Sequence, residues 1–275
     1  TYCIVPFTRG RQKSRDAGAI LDECRALIDN GAKEITLLGQ NVNSYGLDKH
    51  ASGDTSFTRL LRKVSELPGL ARLRFVTPHP KDLSPEVIAM FGEVPNLCPR
   101  LHLPLQAGSD RVLARMNRKY DTARYLQSVE LLKAHFDRPA VTTDLIVGFP
   151  EETEAEFEKT LDFIRACGFA RMHIFPYSIR PGTPAAKMRQ VPKSVKEDRA
   201  HRAAAVAAEL QRAYLAGCVG QTYPVLFEQP KDGWFFGHAP NYAEVLVKGE
   251  DLHNQIRSVT ITSADGEFLY GTIKE

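Results

Sequence analysis

With 275 residues, 43% of them hydrophobic and 25% charged, the chain can bury a full core, and its length predicts one large domain plus a small one. It contains no apolar run of about 18 residues, and Thr1 to Arg15 lacks the apolar stretch of a signal peptide, so a cytoplasmic protein with no membrane partner is expected. The five cysteines, Cys3, Cys24, Cys98, Cys167 and Cys218, form no CxxC pair, which excludes a disulfide framework and fits a reducing compartment.

Along the chain, short apolar runs alternate with helical patterns. Ile20, Leu21, Cys24, Leu27 and Ile28 fall on one helical face, and Asn30-Gly31 ends that helix before a strand at Ile35 to Leu38. Further strands are predicted at Leu73 to Val76, Leu101 to Leu103, Val141 to Val147 and Met172 to Phe175. Ser84-Pro85 pairs a capping hydroxyl with a first-turn proline, and Thr153 with Glu156 has capping-box spacing ahead of a helix carrying Phe157, Leu161 and Ile164. Cys167-Gly168 closes that helix.

Alternating strands and helices predict a parallel sheet, either doubly wound or rolled into a barrel. Active sites of such folds gather at the carboxyl ends of the strands. Here those ends read Gly39-Gln40-Asn41, Thr77-Pro78-His79, Pro104-Leu105-Gln106, Gly148-Phe149-Pro150 and Pro176-Tyr177-Ser178, richer in polar, Gly and Pro residues than a structural turn requires. His79 and His102 have no second ligand at metal spacing, so a zinc site is not expected.

From Ser194 to about Cys218 an alanine-rich, charged stretch predicts a long helix, punctuated by Gly217 and Gly220. Beyond it, short strands at Tyr223 to Phe227, Trp234 to Gly237, Ala243 to Val247, Ser258 to Ile261 and Phe268 to Ile273 predict a small all-β barrel. The boundary falls between 1–217 and 218–275. The net charge of +3 is uneven: residues 219–275 hold four Lys/Arg against eight Asp/Glu, leaving 32 against 25 in the first 218. Attraction for nucleic acid is therefore concentrated in the larger part.

The opening segment Thr1-Tyr2-Cys3-Ile4-Val5-Pro6-Phe7-Thr8-Arg9-Gly10-Arg11 resembles the end of the radical-SAM signature, in which three cysteines hold a 4Fe-4S cluster and an aromatic precedes the last. Cys3 would be that last cysteine and Tyr2 the aromatic. Matching segments run through the chain: Leu37 to Tyr45, Leu101 to Ser109, Thr143 to Pro150, Phe175 to Ser178 and Arg180 to Pro184 are similar to strand-end motifs of the MiaB-type tRNA methylthiotransferases. The resemblance implies an incomplete (β/α)6 radical-SAM barrel followed by a TRAM barrel. It also implies S-adenosylmethionine as cofactor, with Gly39, Gln40 and Asn41 at its methionine end. Gln106, Ser109, Thr143 and Asp144 are the candidates for its ribose or carboxylate, and Tyr2, Ile146, Gly148 and Tyr177 for its adenine.

For the intact parent of this family the resemblance implies methylthio addition to carbon 2 of isopentenyladenosine beside the tRNA anticodon. Hydrogen is removed by a radical derived from S-adenosylmethionine, sulfur comes from a second 4Fe-4S cluster in an N-terminal domain, and an electron donor of unnamed identity is needed. Here only Cys3 matches a cluster ligand, so a truncated chain, inactive by itself, is the expectation. The alternatives are the threonylcarbamoyl-adenosine and ribosomal-protein branches, or, for this chain alone, a non-catalytic RNA-binding body. Candidate RNA contacts are the basic run Arg9, Arg11, Lys13 and Arg15, and Lys231, Trp234 and Lys248 on the otherwise acidic barrel.

Overall fold

In the computed structural model, residues 1–48, 56–136 and 138–274 are described. Helices α1 (Val5–Arg9) and α2 (Ala17–Asp29) lead to strand β1 (Glu34–Leu37), after which α3 (Phe57–Ser65), β2 (Arg72–Phe75), α4 (Pro85–Glu93) and β3 (Arg100–His102) follow. Helices α5 (Asp110–Arg115) and α6 (Thr122–His135), strand β4 (Ala140–Val147), helix α7 (Glu154–Cys167), strand β5 (Arg171–Pro176) and the long helix α8 (Lys193–Ala216) complete the larger part. The smaller part is β6 (Thr222–Lys231), β7 (Trp234–His238), β8 (Glu244–Val247), β9 (Ile256–Ala264) and β10 (Leu269–Ile273).

The five strands of the body are parallel. β1 pairs with β2, and β3 with β4 and β4 with β5. The two groups join where Leu97 bridges Leu73, immediately before β3. Alternation along β2 sends Leu73 and Phe75 into the apolar core under α3 and α4, where Leu61, Val64 and Met90 are also buried. Each such side chain contributes roughly 1.5–3 kcal/mol when fully buried. On the outer edges β1 and β5 each have one described partner strand, so the curved sheet is open between them.

The caps expected from the sequence form. Ser84 Oγ accepts from Val87 N–H with Pro85 in the first turn, and Thr153 with Glu156 makes the reciprocal capping box. Gly168 ends α7 in the left-handed conformation at φ 62°. One expectation is corrected. Leu27, predicted on the buried face of α2, is 46% exposed, because that side of the helix looks into an open cleft instead of packing on a neighbour.

The five C-terminal strands close into a barrel in the order β10-β8-β7-β6-β9, with β10 and β8 parallel. Val225, Phe227, Val245, Val247, Val259 and Leu269 fill it. Close strand approach explains Gly237, where a Cβ would sit 2.4 Å from Leu226 O.

This barrel seats its 238–244 turn against a layer of arginines on the body's strands. Arg72 donates to His238 O at 2.9 Å and to Pro224 O, and Arg74 donates to Pro240 O at 2.7 Å. Arg100 and Arg74 lie 4.1 Å and 4.9 Å from the Tyr242 ring centre, and Arg171 pairs with Glu244 at 3.1 Å. Glu34 of β1 pairs with Arg74 at 2.8 Å and Arg72 at 3.5 Å, so a carboxylate, carbonyls and an aromatic face together compensate the buried cations.

Candidate active site at the carboxyl ends of the strands

A cleft of about 1760 Å³ opens at the carboxyl ends of β1 to β4. It is lined by Thr1, Tyr2 and Cys3, by 38–42 after β1, by 76–81 after β2, by Pro104 and Gln106 after β3, by 116–119 after α5, and by Asp144 of β4. Chain segments far apart in sequence converge here because every crossover returns the chain to the same end of the sheet.

Local geometry holds each of these pieces. The 39–45 turn is tied to the end of β2: Asn41 Oδ1 accepts from His79 N–H at 3.3 Å, Asn43 Oδ1 accepts from it at 2.9 Å, and Val42 N–H donates to Thr77 O. Asn41 Nδ2 donates to Asp82 at 2.7 Å. Gln106 sits in the left-handed region at φ 72°, a conformation costing about 1–2 kcal/mol for a residue with a side chain. Backbone bonds from Gln106 N–H to Asp144 O and from Ile146 N–H to Gln106 O keep it there. Its Oε1 accepts from Tyr2 O–H at 2.8 Å.

Arg118 is the residue the sequence reading missed, and its partner is His79, which that reading placed at a strand end without a role. The end of α5 is a Schellman turn, with Asn117 left-handed at φ 62° and Arg118 N–H donating to Leu113 O, and this turn swings Arg118 into the cleft. Its guanidinium donates to Tyr2 Oη and to His79 Nε2 at 2.9 Å, while its Nε is buried with no partner. Burial first and then the Arg118 charge push the His79 imidazole down to about 4, so it is neutral at pH 7. The left-handed Asn in Met116-Asn117-Arg118 was the one local signal available.

Deeper in the sheet, Asp144 is flanked by two imidazoles, with His173 Nδ1 3.2 Å from Oδ1 and His102 Nε2 3.4 Å from Oδ2. Burial raises the Asp144 carboxyl, but the hydrogen bonds and charge of the two histidines outweigh it and hold the group below the usual carboxylate range.

The other expected residues divide clearly. Cys3 is exposed at the cleft, whereas Cys98, Cys167 and Cys218 are buried elsewhere, and buried Cys24 lines the far wall. Arg9, Arg11, Lys13 and Arg15 line the mouth, Arg15 paired with Glu23 at 2.7 Å. Ile146 is half-buried, two residues on from Asp144 on the same strand face.

Five of the expected cofactor contacts do not line the cleft: Ile146 and the four that follow. Thr143 is fully buried, and its hydroxyl binds Leu103 O and the Leu105 N–H, holding the backbone that carries Gln106. Ser109 lies in a separate pocket of about 430 Å³ with Arg111 and Glu156. Gly148, at φ 68°, faces α8: a Cβ there would sit 2.4 Å from Lys196 Cγ. Tyr177 packs against Phe149 at 5.3 Å, and its carbonyl accepts from Lys196 Nζ at 3.1 Å. Lys231, Trp234 and Lys248 cluster on the distal barrel, with Lys248 Nζ 3.8 Å above the Trp234 ring and Lys231 Nζ 4.1 Å from the Phe268 ring.

Among the described residues no group of three or more His, Cys, Asp or Glu is placed to hold a metal ion, and no helix is long and apolar enough to cross a membrane.

The family model described as the Radical SAM superfamily matches residues 1–164. The chain is 58% identical over 283 aligned positions to a protein of Oleidesulfovibrio alaskensis named tRNA-2-methylthio-N(6)-dimethylallyladenosine synthase, covering 99% of this chain and 60% of that protein. A protein of the same name from Nitratidesulfovibrio vulgaris is 50% identical, covering 96% of this chain and 61% of the relative. The chain thus spans about three fifths of the length of these curated relatives. Among solved structures, coproporphyrinogen III oxidase (HemN) of Escherichia coli superposes with TM-score 0.51 at 13% identity, covering 93% of this chain and 64% of that one. The methyltransferase TsrM of Kitasatospora setae gives 0.52 at 15% identity, covering 64% and 34%. Those two likenesses concern the fold.

Proposed function

The chain belongs to the radical SAM superfamily, and from that premise we propose that it is the body of a tRNA methylthiotransferase acting on carbon 2 of N6-dimethylallyladenosine (isopentenyladenosine) next to the anticodon. The single observation that carries this reading is the cleft at the strand ends, which gathers Tyr2, Cys3, Gly39, Gln40, Asn41, Gln106 and Asp144 beneath a rim of Arg9, Arg11 and Lys13. The names of the relatives at 50–58% identity supply the substrate. In the same reading the five parallel strands are part of a (β/α)6 barrel spanning 1–217, and the closed barrel of 218–275 is a TRAM domain.

S-adenosylmethionine fits the cleft. Arg118 offers a cation whose buried Nε lacks a partner, suited to a carboxylate, and Asp144 offers an acceptor for ribose hydroxyls. Gly39 to Asn41 supply a backbone approach to the methionine end, and Tyr2 an aromatic wall. When bound, this cofactor supplies the radical and methyl chemistry of the family. The protein's own side chains orient it and exclude water. At the rim, Arg9, Arg11 and Lys13 would take RNA phosphates, with Lys231, Trp234 and Lys248 a second contact.

Of the 4Fe-4S cluster of the radical SAM superfamily, this chain supplies one ligand, Cys3. Cys3 is one exposed thiol at the cleft, and the described residues bring no second and third thiolate to it. Anaerobic reconstitution with iron and sulfide should leave near-zero bound iron on this chain; a full cluster per chain would show that further residues join Cys3 as ligands.

Mass spectrometry of tRNA from a deletion strain tests the function. Loss of the methylthio group from isopentenyladenosine is the expected result. An unchanged level rules the proposal out, and loss from threonylcarbamoyl-adenosine instead transfers it to the sister branch.

A further inference from the structure

We propose that Phe175 is the platform on which the target adenine of the RNA stacks, an inference that rests on the tRNA reading above. In parallel register Thr142 lies opposite Arg171, Asp144 opposite His173, and Ile146 opposite Phe175. The Asp144–His173 contact at 3.2 Å shows that this face of β5 is the one shared with Asp144. The other face, Met172 and Ile174, packs on the apolar core. Phe175 therefore stands one pair beyond Asp144 on the same face, nearer the carboxyl ends of the strands.

It is 51% exposed there, because β5 is an open edge and no described strand covers its inward face. A large aromatic left in water on the same sheet face as Asp144, which lines the cleft, is suited to a flat partner. An enzyme that acts on a ring carbon of a base must take that base out of its stack, and an aromatic face compensates the lost stacking. Phe has no hydrogen-bonding group, so reading of the base edge falls to the adjacent His173, held by Asp144 at 3.2 Å. The rim cations Arg9, Arg11 and Lys13 are placed for the phosphates of the same strand.

The test is a coupling measurement on the full 275-residue chain, using anticodon stem-loop RNAs with either adenosine or an abasic site at the position next to the anticodon. Wild-type chain should bind the adenosine RNA roughly ten-fold more tightly than the abasic one. Phe175→Leu, which keeps apolar bulk without the aromatic face, should bring that ratio close to one, and Phe175→Trp should keep it. An unchanged ratio in Phe175→Leu overturns the inference while leaving the tRNA reading intact. If Phe175→Leu instead weakens S-adenosylhomocysteine binding and spares the ratio, the ring serves the cofactor's adenine and the inference is overturned. No binding of either RNA by wild-type chain at low salt sinks the tRNA reading, and this inference with it.

Discussion

His79 is a basic residue that behaves as a neutral one, because burial and the neighbouring Arg118 disfavour a second ring proton. In the unfolded chain it titrates near 6.5 and in the folded chain at about 4. Between those values the unfolded chain binds more protons, so this site's contribution to stability is fully present above about pH 6.5 and is lost as pH falls toward 4. Nitrogen NMR of the imidazole should show it neutral down to about pH 4 in the wild type, and Arg118→Met should raise its titration point. An unmoved titration in that variant would leave burial as the whole cause. Arg118 and His79 stand 39 positions apart, and nothing in the spacing announces their contact at 2.9 Å.

At the level of the element, the start of α7 concentrates several interactions on Glu156. It caps the helix with Thr153 and receives two hydrogen bonds from Arg111. Burial raises its carboxyl, but Arg111 and the Thr153 backbone N–H and hydroxyl together bring it down to about 2, from 4.5 in the unfolded chain. The resulting stabilisation is complete above about pH 4.5 and is lost as pH falls through about 2. Urea midpoints measured from pH 7 to pH 3 should fall less steeply for Glu156→Gln than for wild type, with a loss of about 1 kcal/mol at pH 7 from the weakened cap. Parallel curves would deny Glu156 this part in acid unfolding. The cap itself was legible as Thr-x-x-Glu, whereas Arg111 arrives from a different helix.

Across the whole molecule, the C-terminal barrel serves as a lid on the inner arginine layer. Arg72, Arg74 and Arg100 lie on central strands with their charges met by the barrel's carbonyls and by Tyr242. Tyr242→Ala removes the aromatic face from two cations and should cost about 1–3 kcal/mol, while Tyr242→Phe should stay near wild type. Thermal unfolding of both variants checks this. A single lowered transition for Ala means that body and barrel unfold together, and equal melting of Ala and Phe would remove the ring from the account.

Periodicity and punctuation by themselves marked the strands and the helix caps, because these depend on contacts within a few residues. Strand ends rich in Gly, Asn and Gln were enough to mark Gly39, Asn41 and Gln106. Only the tertiary structure decided what each polar residue does. It turned Thr143 and Gly148 toward the body's own packing and brought Arg118 into the cleft through a left-handed turn. It also buried Arg72 and Arg74 and half-buried Arg100, which a strand pattern alone would place in water. The physical reason is that a charge or a glycine is justified by its neighbours in space, and for Arg72 and Arg74 those neighbours lie 166 positions away.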